Sequence, residues 1–255
     1  MRTRSTPSVR PGLCSVSLRE SSVDEVLSLA ASAGLESIEW GGDVHVPPGD
    51  TDTAKSVGER TRAAGLDVAS LGSYYRCDLA EDFSPVLSSA AALGAPRIRV
   101  WAGEISSADA TPIDREEIAT RLDSAASHAS EYGIELALEF HNGTLADTAE
   151  STLALLSDVA STNVSCYWQP PVDMNDDAAL AELSQLAARV STVHVFSWWP
   201  QHERLPLSSR SELWTRALPF TATFPSVTDA LLEFLPDDDP ALLNREAATL
   251  RAWLS

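Results

Sequence analysis

Lysine is nearly missing from this chain of 255 residues: Lys55 is the sole example, and 18 basic residues face 37 acidic ones, for a formal charge of −19. A Schiff-base mechanism would therefore depend on Lys55, which falls in the polar helical stretch Asp52 to Ala64 and not at a strand end. So acidic a surface repels phosphate backbones and anionic lipid, which argues against nucleic-acid and membrane partners and otherwise fits solubility or a salt-adapted host. Cysteine is scarce too. Cys14, Cys77 and Cys166 are odd in number and widely spaced, so neither a disulfide framework nor a cysteine metal site is indicated, and a reducing cytoplasm is expected. No run of about eighteen apolar residues occurs, and Met1-Arg-Thr-Arg-Ser-Thr-Pro leads into no apolar stretch, so neither membrane insertion nor export is signalled.

What is present is a regular alternation. Strand-like segments fall at Leu13 to Ser17, Ser37 to Trp40, Asp67 to Leu71, Arg97 to Trp101, Glu135 to Phe140, Val164 to Trp168, Val190 to Phe196 and Leu231 to Leu235. Between them lie helix-like stretches with apolar spacing of three and four, including Val23 to Ala33, Arg115 to Tyr132, Thr148 to Val159, Asp177 to Arg189 and Ala241 to Leu254. Ser22 with Glu25, Asp114 with Glu117 and Asp147 with Glu150 resemble capping boxes. Gly34, Gly65, Gly94 and Gly133 stand where left-handed helix caps are needed. Eight such units, with no linker or break in composition, predict one (β/α)₈ TIM barrel over residues 1–255, with 1–10 as a flexible arm and an open doubly wound sheet as the alternative. In either architecture the chemistry belongs at the carboxyl ends of the strands.

Three strands end with ligand-type residues. Leu136-Ala-Leu-Glu139-Phe-His141 places Glu139 and His141 on one strand face, Thr192-Val-His194-Val carries an imidazole, and Ala230-Leu-Leu-Glu233 carries a second carboxylate. Glutamates at apolar strand ends are costly to bury unless paired or bound to metal. Barrel closure brings Glu139, His194 and Glu233 together as a hard oxygen and nitrogen site suited to Mn²⁺, Mg²⁺, Co²⁺ or Zn²⁺. A fourth ligand is expected from the sixth strand, where Tyr167-Trp-Gln169-Pro-Pro offers an amide oxygen.

Through Ile38-Glu-Trp-Gly-Gly-Asp43-Val-His45, Ile98-Arg-Val-Trp-Ala-Gly103, Leu138-Glu-Phe-His-Asn-Gly-Thr-Leu-Ala-Asp-Thr148, Val193-His-Val-Phe and Leu232-Glu-Phe, nearly the whole chain resembles the xylose-isomerase-like barrel superfamily, especially its small sugar isomerases and epimerases. The resemblance implies a divalent metal, Mn²⁺ by preference, held at the positions of Glu139, Gln169, His194 and Glu233. It also implies that Glu139 and Glu233 act as acid and base on opposite faces of the carbon beside a carbonyl. The family carries Asp where this chain has Gln169, a substitution that leaves a bound ion more electropositive and less firmly held.

Other residues fill out the expected site. His45, Trp101, His141, Trp198 and Arg204 are assigned to substrate contact, with Glu39 in a supporting or contact role and Asp43 holding its loop. Trp40, Trp168 and Tyr74 join Trp101 and Trp198 as rim aromatics, against strand interiors read as small and aliphatic. The loops after strands seven and eight lack a glycine-rich nest, and Arg99 and Arg204 are the only nearby cations, so an unphosphorylated substrate fits better than a sugar phosphate. The long connection from Trp199 to Leu207 is expected to lie over the substrate. The expected activity is isomerisation or epimerisation of a small carbohydrate or hydroxy-ketone through an enediolate. Dehydration by the same metal site and sugar binding without turnover are the alternatives, and a homo-oligomer is compatible with all three.

Overall fold

The computed structural model describes residues 9–78, 80–198 and 203–255. Eight parallel strands, β1 (Arg10–Cys14), β2 (Ser37–Gly41), β3 (Asp67–Gly72), β4 (Arg97–Val100), β5 (Glu135–Leu138), β6 (Val164–Trp168), β7 (Val190–Val195) and β8 (Asp229–Leu232), close into a barrel in which β1 pairs with both β2 and β8. Eight helices surround it: α1 (Val23–Ser32), α2 (Thr51–Ala63), α3 (Ser84–Leu93), α4 (Pro112–Ser130), α5 (Ala149–Asp158), α6 (Asp176–Leu186), α7 (Ser211–Thr221) and α8 (Leu243–Leu254). This is the (β/α)₈ architecture that the alternation predicts. None of the described helices is long and apolar enough to cross a membrane. The arm expected over residues 1–10 lies outside the described residues as far as residue 8, and Arg10 already belongs to β1.

Local chemistry explains where the elements start and stop. Ser22 and Glu25 form the expected capping box on α1. On α4 the box shifts to Thr111 and Asp114, because Pro112 takes the first helical position and leaves Thr111 Oγ1 to receive the Asp114 N–H. On α5 the cap is Thr148, while Asp147 is drawn off to accept the Ser107 N–H at 3.0 Å. The four expected glycines do adopt left-handed geometry, with φ between 68° and 79°. The first strand ends three residues earlier than expected. Ser15 and Ser17 use their hydroxyls to accept the Gly41 and Phe234 N–H groups, so residues 15–18 build the barrel rim as a 3₁₀ turn. β8 likewise stops before Glu233, since Phe234 adopts φ of 61° and cannot continue a strand.

Apolar packing between strands and helices forms the main core, with Trp214, Leu122, Leu136 and Ile98 fully buried. The barrel interior is different from the small, aliphatic lining expected. Hydrogen bonds join strands that are not neighbours, and such bonds can only run through the interior: Ser37 Oγ donates to Asp229 Oδ1 at 2.7 Å and Arg97 Nη1 to Thr192 Oγ1 at 2.9 Å. Because residues two apart share a strand face, Glu39, Arg99 and His194 form a second buried polar tier above Ser37, Arg97 and Thr192. Gly12 leaves room beside the lower tier; a Cβ there would lie 2.5 Å from both Leu231 and Ser37.

Candidate active site

The upper tier opens onto the carboxyl ends of the strands. Glu139 directly follows β5, anchored by its N–H to Val100 O at 2.9 Å, and Glu233 follows β8, anchored to Val195 O at 3.1 Å. His194 sits inside β7 opposite Leu231, and Gln169 follows β6. His194 Nδ1 faces Gln169 Oε1 at 3.1 Å and Glu233 Oε2 at 3.2 Å, and ligand atoms of Glu139, His194 and Glu233 lie within 4.8 Å of one another. All four are buried. Two carboxylates, an imidazole nitrogen and an amide oxygen converging in one small volume match the donor set of a hard divalent cation.

Behind these groups lies a counter-charge. The Arg99 guanidinium pairs with Glu139 and, through Nε at 3.2 Å, with Glu39, whose other oxygen accepts Ser70 Oγ at 2.7 Å. His194 Nε2 points at Glu39 Oε1 at 3.5 Å, so a cation on Nδ1 would leave the Nε2–H directed at a carboxylate, the arrangement that orients metal-bound histidines. Burial alone would raise the Glu39 carboxyl, but Arg99, His194 and Ser70 outweigh it and hold the group well below the ordinary carboxylate range. Burial would likewise favour neutral His194; the neighbouring Cys14 and Glu233 reverse that and raise the imidazole well above its usual value. Cys14, Glu39 and His194 also approach one another closely, yet burial pushes the Cys14 thiol up to about 12 and Arg99 already pairs with Glu39, which disfavours a cation there.

A cavity of about 300 Å³ rises from this cluster, and Glu139, Gln169, Glu233, Trp101, His141 and Trp198 all line it. His141 Nδ1 lies 2.7 Å from Asn142 O; a carbonyl can only accept, so Nδ1 carries the hydrogen and Nε2 keeps its lone pair. Burial lowers the His141 pKa, which also favours the neutral ring. The ring packs on Trp101 with centroids 4.5 Å apart, Tyr74 extends that wall, and Phe196, Trp198 and Phe234 form a second aromatic group.

Two expected substrate contacts stand elsewhere. His45 is not among the cavity-lining residues: its Nδ1 meets Ser15 Oγ and its Nε2 meets Ser21 O, both at 3.0 Å, so the ring ties the β1 turn to the loop after β2. Asp43, expected to hold that loop, pairs with Arg19. Arg204 also lies outside the lining, over the Trp198 and Phe234 rings at 5.4 and 4.5 Å and paired with Asp238. Trp40 and Trp168 are core residues, Trp40 donating to Thr61 Oγ1 at 3.0 Å and Trp168 packed edge-on to Trp214. In the long connection, Arg204–Leu205 pairs antiparallel with Ser197–Trp198, and residues 199–202 lie outside the described residues. The ion pairs of Arg99 and the lining role of Arg19 were missed. The period of two in Arg97-Ile-Arg99 does place both arginines on one face, but which face turns inward depends on the closed barrel.

Residues 27–225 match the family model described as a xylose isomerase-like TIM barrel. A curated 3-dehydroshikimate dehydratase from Bacillus anthracis is 26% identical over 163 residues, a match spanning 60% of this chain and 58% of that protein. Among solved structures, the probable 3-DHS dehydratase involved in petrobactin synthesis from Bacillus anthracis superposes with a TM-score of 0.79 at 20% identity, covering 95% of this chain and 99% of the other. An L-ribulose 3-epimerase gives 0.68 at 18% identity, with 96% and 93% covered. A xylose isomerase-like barrel from Mycobacterium smegmatis in complex with magnesium gives 0.71 at 13% identity, with 100% and 98% covered. At these identities the structural likeness is one of fold.

Proposed function

The chain belongs to the xylose isomerase-like TIM-barrel family, and from that premise we propose that it is a divalent-cation-dependent lyase that dehydrates a small ring-shaped hydroxy-ketone. The observation that carries this reading is His141, whose lone pair on Nε2 belongs to a side chain lining the cavity beside Glu139 and Glu233. Glu139, Gln169, His194 and Glu233 would hold the cation, Mn²⁺ by preference, which when bound would supply a Lewis acid for the substrate carbonyl. His141 Nε2 takes the proton from the carbon beside that carbonyl, and the electron pair moves toward the carbonyl oxygen. When the charge returns, the bond to the β-hydroxyl breaks, and the imidazolium gives its proton to the departing oxygen; the substrate has lost one water. Arg99 holds Glu139 in place through their ion pair. Aromatic walls suit the flat faces of a ring better than an open-chain polyol, which needs a polar partner for most of its carbons. The curated dehydratase relative supports the same choice.

Epimerisation or isomerisation of a small sugar is the second reading, favoured by Glu139 and Glu233 standing on separate strand ends where they can reach a carbon from two sides. Incubating the Mn²⁺-loaded protein with ring hydroxy-ketones and open-chain ketoses in D₂O separates the two. Dehydration yields a product lighter by one water, whereas an epimer keeps its formula and gains solvent deuterium. His141→Asn should cost about 10²–10⁴-fold in dehydration rate with metal content retained. Deuterated epimers without water loss, or full dehydration by the His141 variant, would overturn the lyase reading.

A further inference from the structure

Arg204 stands outside the lining of the main cavity because it lines a second one, of about 210 Å³, beside the first. Val16, Arg19 and Phe234 line both, so the two spaces meet along a shared edge. The charged residues of the second cavity balance, Arg19 and Arg204 against Glu20 and Asp238, and an ion of either sign finds no net attraction there. Hydrogen-bonding capacity is nevertheless left over. Arg204 Nη1 pairs with Asp238 and the guanidinium lies over the Trp198 and Phe234 rings, so its remaining N–H groups have no acceptor among the described residues. Glu20 makes no hydrogen bond or ion pair with a described residue. Ser17 is buried, and its Oγ accepts the Phe234 N–H at 2.8 Å while its own O–H finds no described acceptor.

Spare donors and spare acceptors around one small, charge-balanced volume match a polyhydroxylated ring, in which every hydroxyl both donates and accepts. Leu18, Phe234 and Pro240 supply apolar surface for its C–H bonds. A carboxylate or phosphate would meet Glu20 and Asp238 as well as the arginines, and a plain hydrocarbon would strand the buried Ser17 hydroxyl. We propose that the second cavity is a subsite for a neutral sugar ring, and that the ligand of this protein has two units. One is a ring in the main cavity beside Glu139 and Glu233; the other is a sugar joined to it, lying past Val16 and Phe234 in the second. Glu20, Asp238 and Pro240 are exposed, and a subsite so open to water contributes through attachment. A free sugar bears the whole entropic cost of association, whereas a sugar joined to a bound ring bears little of it. This goes beyond the lyase reading and does not depend on which bond the main site breaks.

The probes are phenyl β-D-glucopyranoside, phenol and methyl β-D-glucopyranoside, each titrated into the purified protein and followed through tryptophan fluorescence, since Trp198 packs on Phe234 with ring centroids 4.6 Å apart. Phenyl glucoside should bind about ten- to a hundredfold more tightly than phenol, the yield of about two net hydrogen bonds, and methyl glucoside should bind more weakly than phenyl glucoside by at least as much. Glu20→Ala should cost the phenyl glucoside about tenfold, and Pro240→Trp, which fills the second cavity, should remove its advantage altogether. Neither substitution should change the affinity for phenol. Phenyl β-D-glucuronide, which carries a carboxylate on the same sugar, should bind no better than the glucoside. Equal affinity for phenyl glucoside and phenol, an advantage that survives Pro240→Trp, or a preference for the glucuronide would overturn the subsite. No metal ion and no turnover enter these measurements, so failure of the lyase reading leaves the subsite standing, and failure of the subsite leaves the lyase reading standing.

Discussion

Replacing Gln169 by Asp tests whether that position touches the cation. Glu39, Glu139 and Glu233 contribute three negative charges around His194, and Arg99 contributes one positive, so the cluster carries −1 while the imidazole is protonated and −2 once an ion has displaced that proton. The Gln169 amide oxygen lies 3.1 Å from His194 Nδ1, on the same imidazole nitrogen that faces Glu233. Two unit charges about 4 Å apart attract by about 4 kcal/mol at an effective dielectric of 20. Part of this is offset in the ion-free protein, where the new carboxylate would be desolvated and would attract the protonated imidazole. A net gain of roughly 1.5–3 kcal/mol corresponds to about 10–100-fold tighter binding. Titration calorimetry with Mn²⁺ near neutral pH reads the difference directly. The turnover rate should fall, since a further anionic ligand lowers the Lewis acidity of the ion. An Mn²⁺ affinity identical to that of the unmodified protein would show that residue 169 does not reach the ion and would refute the charge argument.

Glu233→Gln should lower both Mn²⁺ content, read by elemental analysis, and activity; full metal content with unchanged turnover would remove Glu233 from the site. Arg99→Met should destabilise the protein by about 3–5 kcal/mol in urea unfolding, because two buried carboxylates lose their counter-charge. Added Mn²⁺ should rescue that variant more than it stabilises the unmodified protein. Burial pushes the Cys14 and Cys166 thiols up to about 12 and raises Cys77 as well, so a thiol reagent at mildly alkaline pH should label none of them in the native state and all three in urea. Glu39 is held below its unfolded value, so the stability it contributes is complete above the ordinary carboxylate range and is lost as pH falls toward its folded pKa; Glu39→Gln should flatten the acid limb of the unfolding free energy.

The barrel and the meeting of Glu139, His194 and Glu233 were legible because each depends on local pattern. Alternating periodicity, glycine caps and the Ser22–Glu25 box act within a few residues of themselves, and the structure places all of them as read. Strand ends were less legible where the rim took over. Ser15 and Ser17 look like strand residues until their hydroxyls are seen to serve Gly41 and Phe234, the latter 217 positions away in the chain. His45 and Arg204 carried the same difficulty in another form. Both stand close in sequence to strand ends, and only the folded loops show His45 bonded to Ser15 and Ser21 and Arg204 stacked on the outside of the Trp198 wall.

Arg99 shows why the chemistry of the site needed the closed barrel. In sequence it is a charged residue between Ile98 and Val100, equally consistent with a solvent-facing edge or a phosphate contact. Closure brings β2, β4, β5 and β7 around one axis, and Arg99 then meets Glu39 and Glu139 while Glu39 meets His194. This changes the meaning of Gln169. Considered alone, an amide in a ligand position looks like a weakened metal site. Counted with Glu39 and Arg99, the cluster has a charge of −2, which one divalent ion cancels when His194 is neutral. A carboxylate at 169 would leave a residual negative charge in a buried volume, where uncompensated charge is most costly. On the proposed cation site, a neutral side chain at 169 lets one divalent ion balance Glu39, Glu139, Glu233 and Arg99.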